Sequence, residues 1–494
     1  MNLKDVLKDI DCVIYGNENV EIENLTHNSK EENKNGLFFA INGNNFNGED
    51  YAFEAIGNGA KVIVSENKLA KEIETNVVVK DIRKAMSLIA RNYYNNPAEK
   101  MLLIGVTGTN GKTTTTYMLK SIFEKAGKKV GVIGTNGVVI NNQKVLTDFT
   151  TPDPILLQKI LREMVEKNVE VVCMEVSAHA LELQKLWGVM TDIALFTNLT
   201  LDHLDYFKTM DNYFEAKRKF FTPDYARFGV VNIDDPYGKI IYNSSEIPLI
   251  SYSKLQENIK NSDISASDIK LLTKDQEFIV KTMKGEFKVK LNMLGNFNVS
   301  NALGAIAAAI MAGVNKKHII SALNSLEQVD GRFNSFWHNG ARIIVDYAHT
   351  PDGLENILKA AKEFTQNKLI SVFGCGGNRD TSKRHVMGEI SSRLADLTII
   401  TTDNPRNEDP MDIIEGIERG VVNNNYILEI DRVTAIKKAL NLTKYGDTVV
   451  ITGKGAENYF DINNEKVPYQ TDAKIVEEVS NEVTKRIQRE SILL

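Results

Sequence analysis

The chain has 494 residues, 43% of them hydrophobic and 25% charged, and a formal net charge of −6. That length allows about three domains with a core each, and the composition is that of an ordinary globular protein. The acidic balance excludes a basic surface for nucleic acid or acidic membrane, and three widely spaced cysteines (Cys12, Cys173, Cys375) speak against a disulfide frame or zinc site and for a reducing cytoplasm.

The opening MNLKDVLKDIDCVIYG lacks the apolar stretch of a signal peptide and predicts a short amphipathic helix. Strands KVIVSE and NVVVKD follow among turn-rich loops, and NNPAEK (residues 95–100) is a polar junction that sets a first boundary at 97. MLLIGVT then predicts a strand and TTTYMLKSIFEKAG a helix. Met118, Leu119, Ile122, Phe123 and Ala126 share its apolar face, and Gly127 is its predicted C-cap. KVGVIGT, VEVVCMEVS and DIALFTNL alternate with helical patterns, which predicts a parallel sheet covered by helices.

NYFEAKRKFF predicts a helix with Tyr213, Phe214, Phe220 and Phe221 inward; from pattern alone Lys217 is a solvated lysine. EFIVKTMKGEFKVKLNM, within residues 255–294, predicts an antiparallel hairpin. ALGAIAAAIMAGV is too short for a bilayer and predicts a buried helix. Beyond a second boundary near 329, ARIIVDYAHTP, KLISVFGCGGN, LTIITTDNP and DTVVITGKG resume the alternation of a doubly wound α/β domain.

GVTGTNGKTTTT lies between a strand and a helix, the setting of a phosphate loop: its glycines let N–H groups converge on phosphate oxygens at a helix N-terminus. Strict spacing would place a glycine where Val106 stands. Glu175 ends one strand, and Asp202, His203 and Asp205 follow another; together they are candidates for a metal ion. GCGGNRD lacks the full dinucleotide fingerprint, whereas Arg379, Lys383 and Arg384 predict a cationic rim for carboxylates or phosphates. DNPRNEDP (residues 403–410), with two prolines and no periodicity, predicts a stiff loop at a strand end, where open α/β sheets bind ligands.

In chain order, GTNGKTT, TTPD, EVSAHAL, FTNLTLDHLDY, AKRKFF, GNFNVSNALGA, DGRF, DYAHTPD and DNPR resemble the Mur ligases, ATP-dependent amino-acid-adding enzymes of peptidoglycan precursor synthesis. The resemblance covers nearly the whole chain, and HNSKEENKNGLFFAINGNNFNGEDYAFEAIGNGA is similar to the UDP-binding domain of the third ligase in the series. It implies an α/β fold of three domains. These are an N-terminal α/β UDP-binding domain (1–97), a central P-loop parallel-sheet ATPase domain (98–328) and a C-terminal Rossmann-like domain that delivers the amino acid (329–494).

By the same resemblance His27, Ser29, Asn44, Asn45 and Phe46 contact the uridine diphosphate. Thr150, Thr151, Ser177, Leu183 and Lys185 hold the muramoyl-dipeptide side. Gly108, Thr109, Asn110, Gly111, Lys112, Thr113 and Thr114 cradle ATP, with Asn298, Asn301, Arg332 and Asp346 completing that site. Thr113, Glu175, His203 and Lys217 match magnesium ligands, Lys217 as a carbamylated lysine; Lys112, Lys217, Glu175 and His203 carry the chemistry. Arg379, Asp403, Asn404, Pro405, Arg406, Gly453 and Glu457 hold the amino acid.

In the family DNPR marks enzymes that add meso-diaminopimelate, which differs from lysine by one carboxylate that an arginine can grip with two parallel hydrogen bonds. The implied cofactors are ATP and Mg²⁺, and the partners are small molecules: no nucleic acid, no membrane, a monomer in the cytoplasm. Ala178, Lys185, Leu183, Ala456, Phe207 and Asn28 depart from the family pattern; these changes cluster around the muramoyl-peptide and amino-acid sites, and the ATP and metal residues keep the pattern. Addition of lysine or another diamino acid, a divergent paralogue, and a P-loop protein that binds ATP without joining anything remain alternatives. A nicotinamide oxidoreductase rests on fold analogy alone.

Overall fold

A computed structural model describes residues 1–492 apart from 44, 45, 146, 148, 273, 274 and 464, with side chains as far as 482. Among the described residues three large sheets and one two-stranded hairpin divide the chain. The first has five strands in the spatial order Cys12–Gly16, Thr75–Val79, Ala60–Ser65, Gly36–Phe39, Leu25–Thr26, parallel except for the first pair. The opening segment differs from the helix expected of it. Only Leu3–Val6 is helical, and Cys12–Gly16 pairs as an edge strand, because CVIY offers β-branched and aromatic side chains to a half-buried sheet face.

The central sheet has eleven strands. Its parallel middle runs Leu249–Ser253, Ala226–Asn232, Thr191–Phe196, Leu102–Thr107, Val171–Glu175, Val130–Gly134. These strands are apolar almost throughout, as a sheet covered on both faces requires. The helix Lys112–Lys125 buries Met118, Leu119, Ile122 and Phe123 against one face. It ends at Ala126, and Gly127 is the next residue, at φ 82°, where a left-handed conformation closes the last turn. The hairpin Gln276–Thr282/Gly285–Leu291 forms as expected and extends this sheet edge by antiparallel pairing. Helix Asn296–Met311 is buried in the same core.

The last sheet has six strands in the order Asn334–His338, Ala341–Asp346, Thr448–Thr452, Leu369–Phe373, Leu397–Ile400, Tyr426–Leu428, parallel but for the first pair. A small hairpin, Tyr459–Ile462 with Glu465–Pro468, stands apart from it. The stiff loop after Leu397–Ile400 is shorter than expected. Pro410 is the first residue of helix Pro410–Glu418, capped by the Asp409 side chain, since the first helical position needs no N–H donor. Among the described residues no helix is long and apolar enough to cross a membrane. The three cysteines are free, and burial pushes the Cys375 thiol up to about 12.

Candidate active site

The carboxyl ends of the central strands and those of the last sheet face one cleft of about 1250 Å³. On the central side the strand Leu102–Thr107 runs into the glycine-rich loop. Val106, at the position a strict phosphate loop gives to glycine, lies inside that strand with its side chain in the core, so a β-branched residue suits it. Gly111 has φ 87°, and a Cβ there would collide with the Asn301 amide. Gly111 also provides no side-chain cap to the helix it opens, which leaves first-turn N–H groups to a ligand. The Lys112 ammonium lies along the loop, donating to the carbonyls of Gly108 (2.9 Å) and Thr109 (2.8 Å).

Lys217 is not the solvated lysine its helical setting predicts. It is 1% exposed, donates to the Gly108 carbonyl at 2.9 Å, and lies 4.8 Å from the centre of the Tyr213 ring. Burial, then the neighbouring Lys112 charge, lowers its pKa well below the ordinary lysine value. Glu175, buried at the end of Val171–Glu175, accepts from the Thr135 N–H (3.0 Å) and hydroxyl (3.1 Å). His203 adopts φ 57° just before a short helical turn, and its Nε2 stands 3.3 Å from Asp202. Burial pulls His203 down to about 3, against the opposing pull of Asp202. Although burial alone would raise Asp202, His203, Lys383 and His349 hold its carboxyl far below the usual range.

The last sheet closes over this end. Arg332 Nη2 donates to the Thr113 hydroxyl (2.8 Å), and its guanidinium stacks 4.6 Å from the Tyr347 ring. Asn110 donates to Asp352 (2.8 Å). Asp346 accepts from the N–H groups of Phe333 and Ala348. Lys383 is buried, donates to the His349 carbonyl (3.0 Å) and lies 3.8 Å from Asp202. Arg384 turns away, bonded to both oxygens of Glu408 (3.0 and 2.9 Å). The expected cationic rim is therefore Arg379 and Lys383 only, because successive residues on helix Ser382–Leu394 cannot all face the cleft.

At the far end Arg406, φ 53°, donates through Nη1 to the Gly377 carbonyl (2.7 Å) and through Nε pairs with Asp461 (3.1 Å). Asn404 Nδ2 donates to Glu457 (2.9 Å), whose other oxygen accepts from the Tyr347 hydroxyl (3.1 Å). Lys454, 0% exposed, donates to Asn404 Oδ1 (2.8 Å) and Glu457 (3.1 Å) beneath the ring of Phe460. Gly453 has φ 116°, and a Cβ there would meet the Asp403 carboxylate.

Thr150, Thr151, Ser177, Leu183 and Lys185 line the same cleft; the Thr151 hydroxyl donates to the Glu175 carbonyl (2.9 Å), and Lys185 donates to the Thr151 carbonyl (3.3 Å). Of the expected residues, Gly108, Lys217, Asn298 and Pro405 do not line the cleft; Asn298 is buried beneath it and accepts from Asn301 (3.2 Å). His27, Ser29 and Phe46 line a separate pocket of about 460 Å³ with Phe38, Phe39 and Tyr51. There Ser29 bonds Glu54, and Phe46 meets Tyr51 edge to face. Asn44 and Asn45 lie outside the described residues. The sequence reading passed over Lys454, Asp461 and Tyr347. GKG after a buried strand signalled the first, and nothing local signalled Asp461.

Three family models match in succession: "Mur ligase family, catalytic domain" over residues 21–94, "Mur ligase middle domain" over 106–309, and "Mur ligase, glutamate ligase domain" over 331–455. A relative from Clostridium acetobutylicum named UDP-N-acetylmuramoyl-L-alanyl-D-glutamate--2,6-diaminopimelate ligase 1 is 42% identical over 98% of this chain and all of its own length. The chain belongs to the Mur ligase family. A Clostridium tetani ligase of the same description, without the number, is also 42% identical over 98% of the chain. A solved structure of a UDP-N-acetylmuramoyl-L-alanyl-D-glutamate--2,6-diaminopimelate ligase superposes with a TM-score of 0.69 at 30% identity, covering 98% of this chain and 99% of that one. As a Mur ligase the protein is an enzyme of the amide-bond-forming ligase class, with the three-part α/β architecture of its relatives.

Proposed function

We propose that this Mur ligase adds meso-diaminopimelate to the γ-carboxylate of the D-glutamate in UDP-MurNAc-L-Ala-D-Glu, consuming ATP, in peptidoglycan precursor synthesis. One observation carries the reading: the phosphate loop, the Thr150–Lys185 group and the DNPR arginine all line one cleft. The names of the relatives support the same substrate pair. The domain division at 97 and 328 is part of this proposal, as are the roles given to each residue.

In this reading the glutamyl carboxylate oxygen attacks the γ-phosphorus of ATP, and ADP leaves. The diaminopimelate amine then attacks the acyl carbon, phosphate leaves, and the amine gives up its proton. The amides and Lys112 of the glycine-rich loop neutralise charge on the phosphates, so positioning is most of the catalysis. Thr113, Glu175 and His203 line the cleft with the glycine-rich loop and would offer a hydroxyl, a carboxylate and an imidazole to Mg²⁺, an ion that usually takes one or two protein ligands and fills its shell with water and phosphate oxygens. Bound there, Mg²⁺ would neutralise phosphate charge.

Lys217 fits carbamylation. Its depressed pKa favours the uncharged amine, the form that reacts with carbon dioxide, and the product carbamate is an anion beside the cationic Lys112. The separate His27, Ser29 and Phe46 pocket suits a uridine diphosphate, with an aromatic ring for the base. The work is done among small molecules in the cytoplasm by a single chain.

The test supplies the protein with ATP and UDP-MurNAc-L-Ala-D-Glu, then with diaminopimelate or lysine separately, and weighs the nucleotide product by mass spectrometry. A diaminopimelate adduct formed faster than a lysine adduct is expected. The reverse order would overturn the amino-acid assignment, and phosphate release independent of the muramoyl substrate would overturn the ligase reading.

A further inference from the structure

We propose that Lys454 is a positioning residue for the incoming amino acid, setting the direction of the Asn404 amide and of the Glu457 carboxylate, the two side chains that meet the substrate's zwitterionic end; this rests on the reading of the protein as a diaminopimelate ligase. Lys454 itself does not reach the cleft. It is 0% exposed and forms no part of the cleft wall, whereas Asn404 and Glu457 both line it.

A lysine in such a place is costly, because an ammonium taken out of water must be compensated. Two acceptors and two aromatic faces do so. The Nζ donates to Asn404 Oδ1 (2.8 Å) and Glu457 Oε2 (3.1 Å), and it lies 4.6 Å from the centre of the Phe460 ring and 5.5 Å from that of Tyr469. A methionine would fill the same space without that cost. What the lysine adds is direction.

An amide can sit either way round, and hydrogen bonding decides between the two. Asn404 Oδ1 faces two donors, Lys454 Nζ and the Asp461 N–H (3.0 Å). A reversed amide would set its own NH2 against both. Lys454 thereby turns Nδ2 towards Glu457 Oε2 (2.9 Å), and that nitrogen carries a second N–H for a ligand carboxylate. The same amino group draws in Glu457 Oε2, while the Tyr347 hydroxyl donates to Oε1 (3.1 Å). A carboxylate oxygen accepts two bonds, so Oε1 keeps room for a ligand ammonium. One buried group thus sets a donor and an anion side by side, as a zwitterion requires.

The main chain puts Lys454 in place. Gly453 and Gly455, on either side, have φ 116° and 52°, and a Cβ at 455 would meet Tyr347 at 2.8 Å. The Glu457 N–H donates back to the Lys454 carbonyl (2.9 Å). This tight turn sends the lysine beneath the loop and leaves Glu457 at the cleft.

The test measures KM for meso-diaminopimelate, ATP and UDP-MurNAc-L-Ala-D-Glu, the other substrates saturating, in the wild type, K454M, K454Q, E457Q and K454M/E457Q, with a melting curve for each. K454M is expected to raise KM for diaminopimelate about tenfold and to leave the other two unchanged. K454Q keeps a donor and should fall between K454M and the wild type. Once the Glu457 carboxylate is gone Lys454 has less to position, so K454M is expected to cost no more than about threefold in the E457Q background. The same rise in both backgrounds would mean that Lys454 does not act through Glu457. A parallel rise in KM for ATP would mean that it only supports the fold, and an unchanged KM for diaminopimelate that it does not serve the amino acid; each of these overturns the inference. Should K454M not fold, K454Q and K454Q/E457Q complete the same cycle. A wild-type enzyme that joins lysine and not diaminopimelate would instead overturn the proposed function.

Discussion

Where the proposed function puts the phosphates, the groups on offer are main-chain amides and one lysine, supplied by a single run of residues between a strand and a helix. Where it puts the amino acid they are side chains from four separated segments: Asn404 and Arg406, Tyr347, Lys454 and Glu457, and Asp461. The first kind of site follows from local geometry, since glycine and a helix N-terminus suffice. The second exists only when distant loops meet, so its precision depends on what braces them. Arg432 and Asp472 supply that brace. Both are fully buried, joined at 2.7 Å, and Arg432 also donates to the Thr452 carbonyl (2.8 Å) just ahead of Gly453.

That contrast can be broken or sharpened by substitution. The largest effect is expected from Arg432→Ala, which strands the Asp472 charge in the core. A stability loss of about 3–5 kcal/mol, read from denaturant melts, would mark the amino-acid end as dependent on remote bracing, and a loss below 1 kcal/mol would erase the distinction. Next, Lys112→Ala is expected to cut kcat by about 10²–10³-fold with little change in melting temperature, because its partners are loop carbonyls rather than core groups.

Arg406→Ala comes third. KM for diaminopimelate should rise by about 10–100-fold, while KM for ATP stays the same; a parallel rise in both would place Arg406 in a general structural role. Fourth is the pH dependence of stability at the central end. Folded His203 takes up its proton only near pH 3, whereas its ordinary value is 6.5. Below 6.5 the unfolded chain therefore binds a proton that the folded one does not, and stability falls as pH drops. The fall should be visible in metal-free denaturant melts down to about pH 4, where carboxylates begin to titrate. His203→Asn should make it shallower, and His179, His338 and His349, also held below the ordinary value by burial, account for what remains. Smallest is Phe46→Ala in the separate pocket, expected to raise KM for the UDP substrate by about two- to tenfold.

The same contrast explains what was legible in the residues. Met118, Leu119, Ile122 and Phe123 form the buried stripe their spacing predicts, and the apolar runs ending at Thr107, Glu175 and Phe196 are parallel strands. Pattern alone makes Lys217 a solvated lysine, because a helix pattern assigns charged residues to water; the packing of Tyr213 and the loop carbonyl of Gly108 show it enclosed. Arg384 was misread for the opposite reason: its charge was visible, but the direction of its side chain, towards Glu408, was not.

Periodicity and glycine placement determined on their own that this chain holds α/β sheets and a phosphate-type loop, because those features act over a few residues and need no partner; the ligase reading came from the resemblance of its ordered motifs to the Mur ligases. Tertiary structure alone decided that the loop and Arg406 share a cleft, that Lys217 and Lys454 are buried, and that Asp461 stands beside Arg406. Each of those facts is a distance between segments far apart in the chain, and such distances are set by how whole sheets and helices pack.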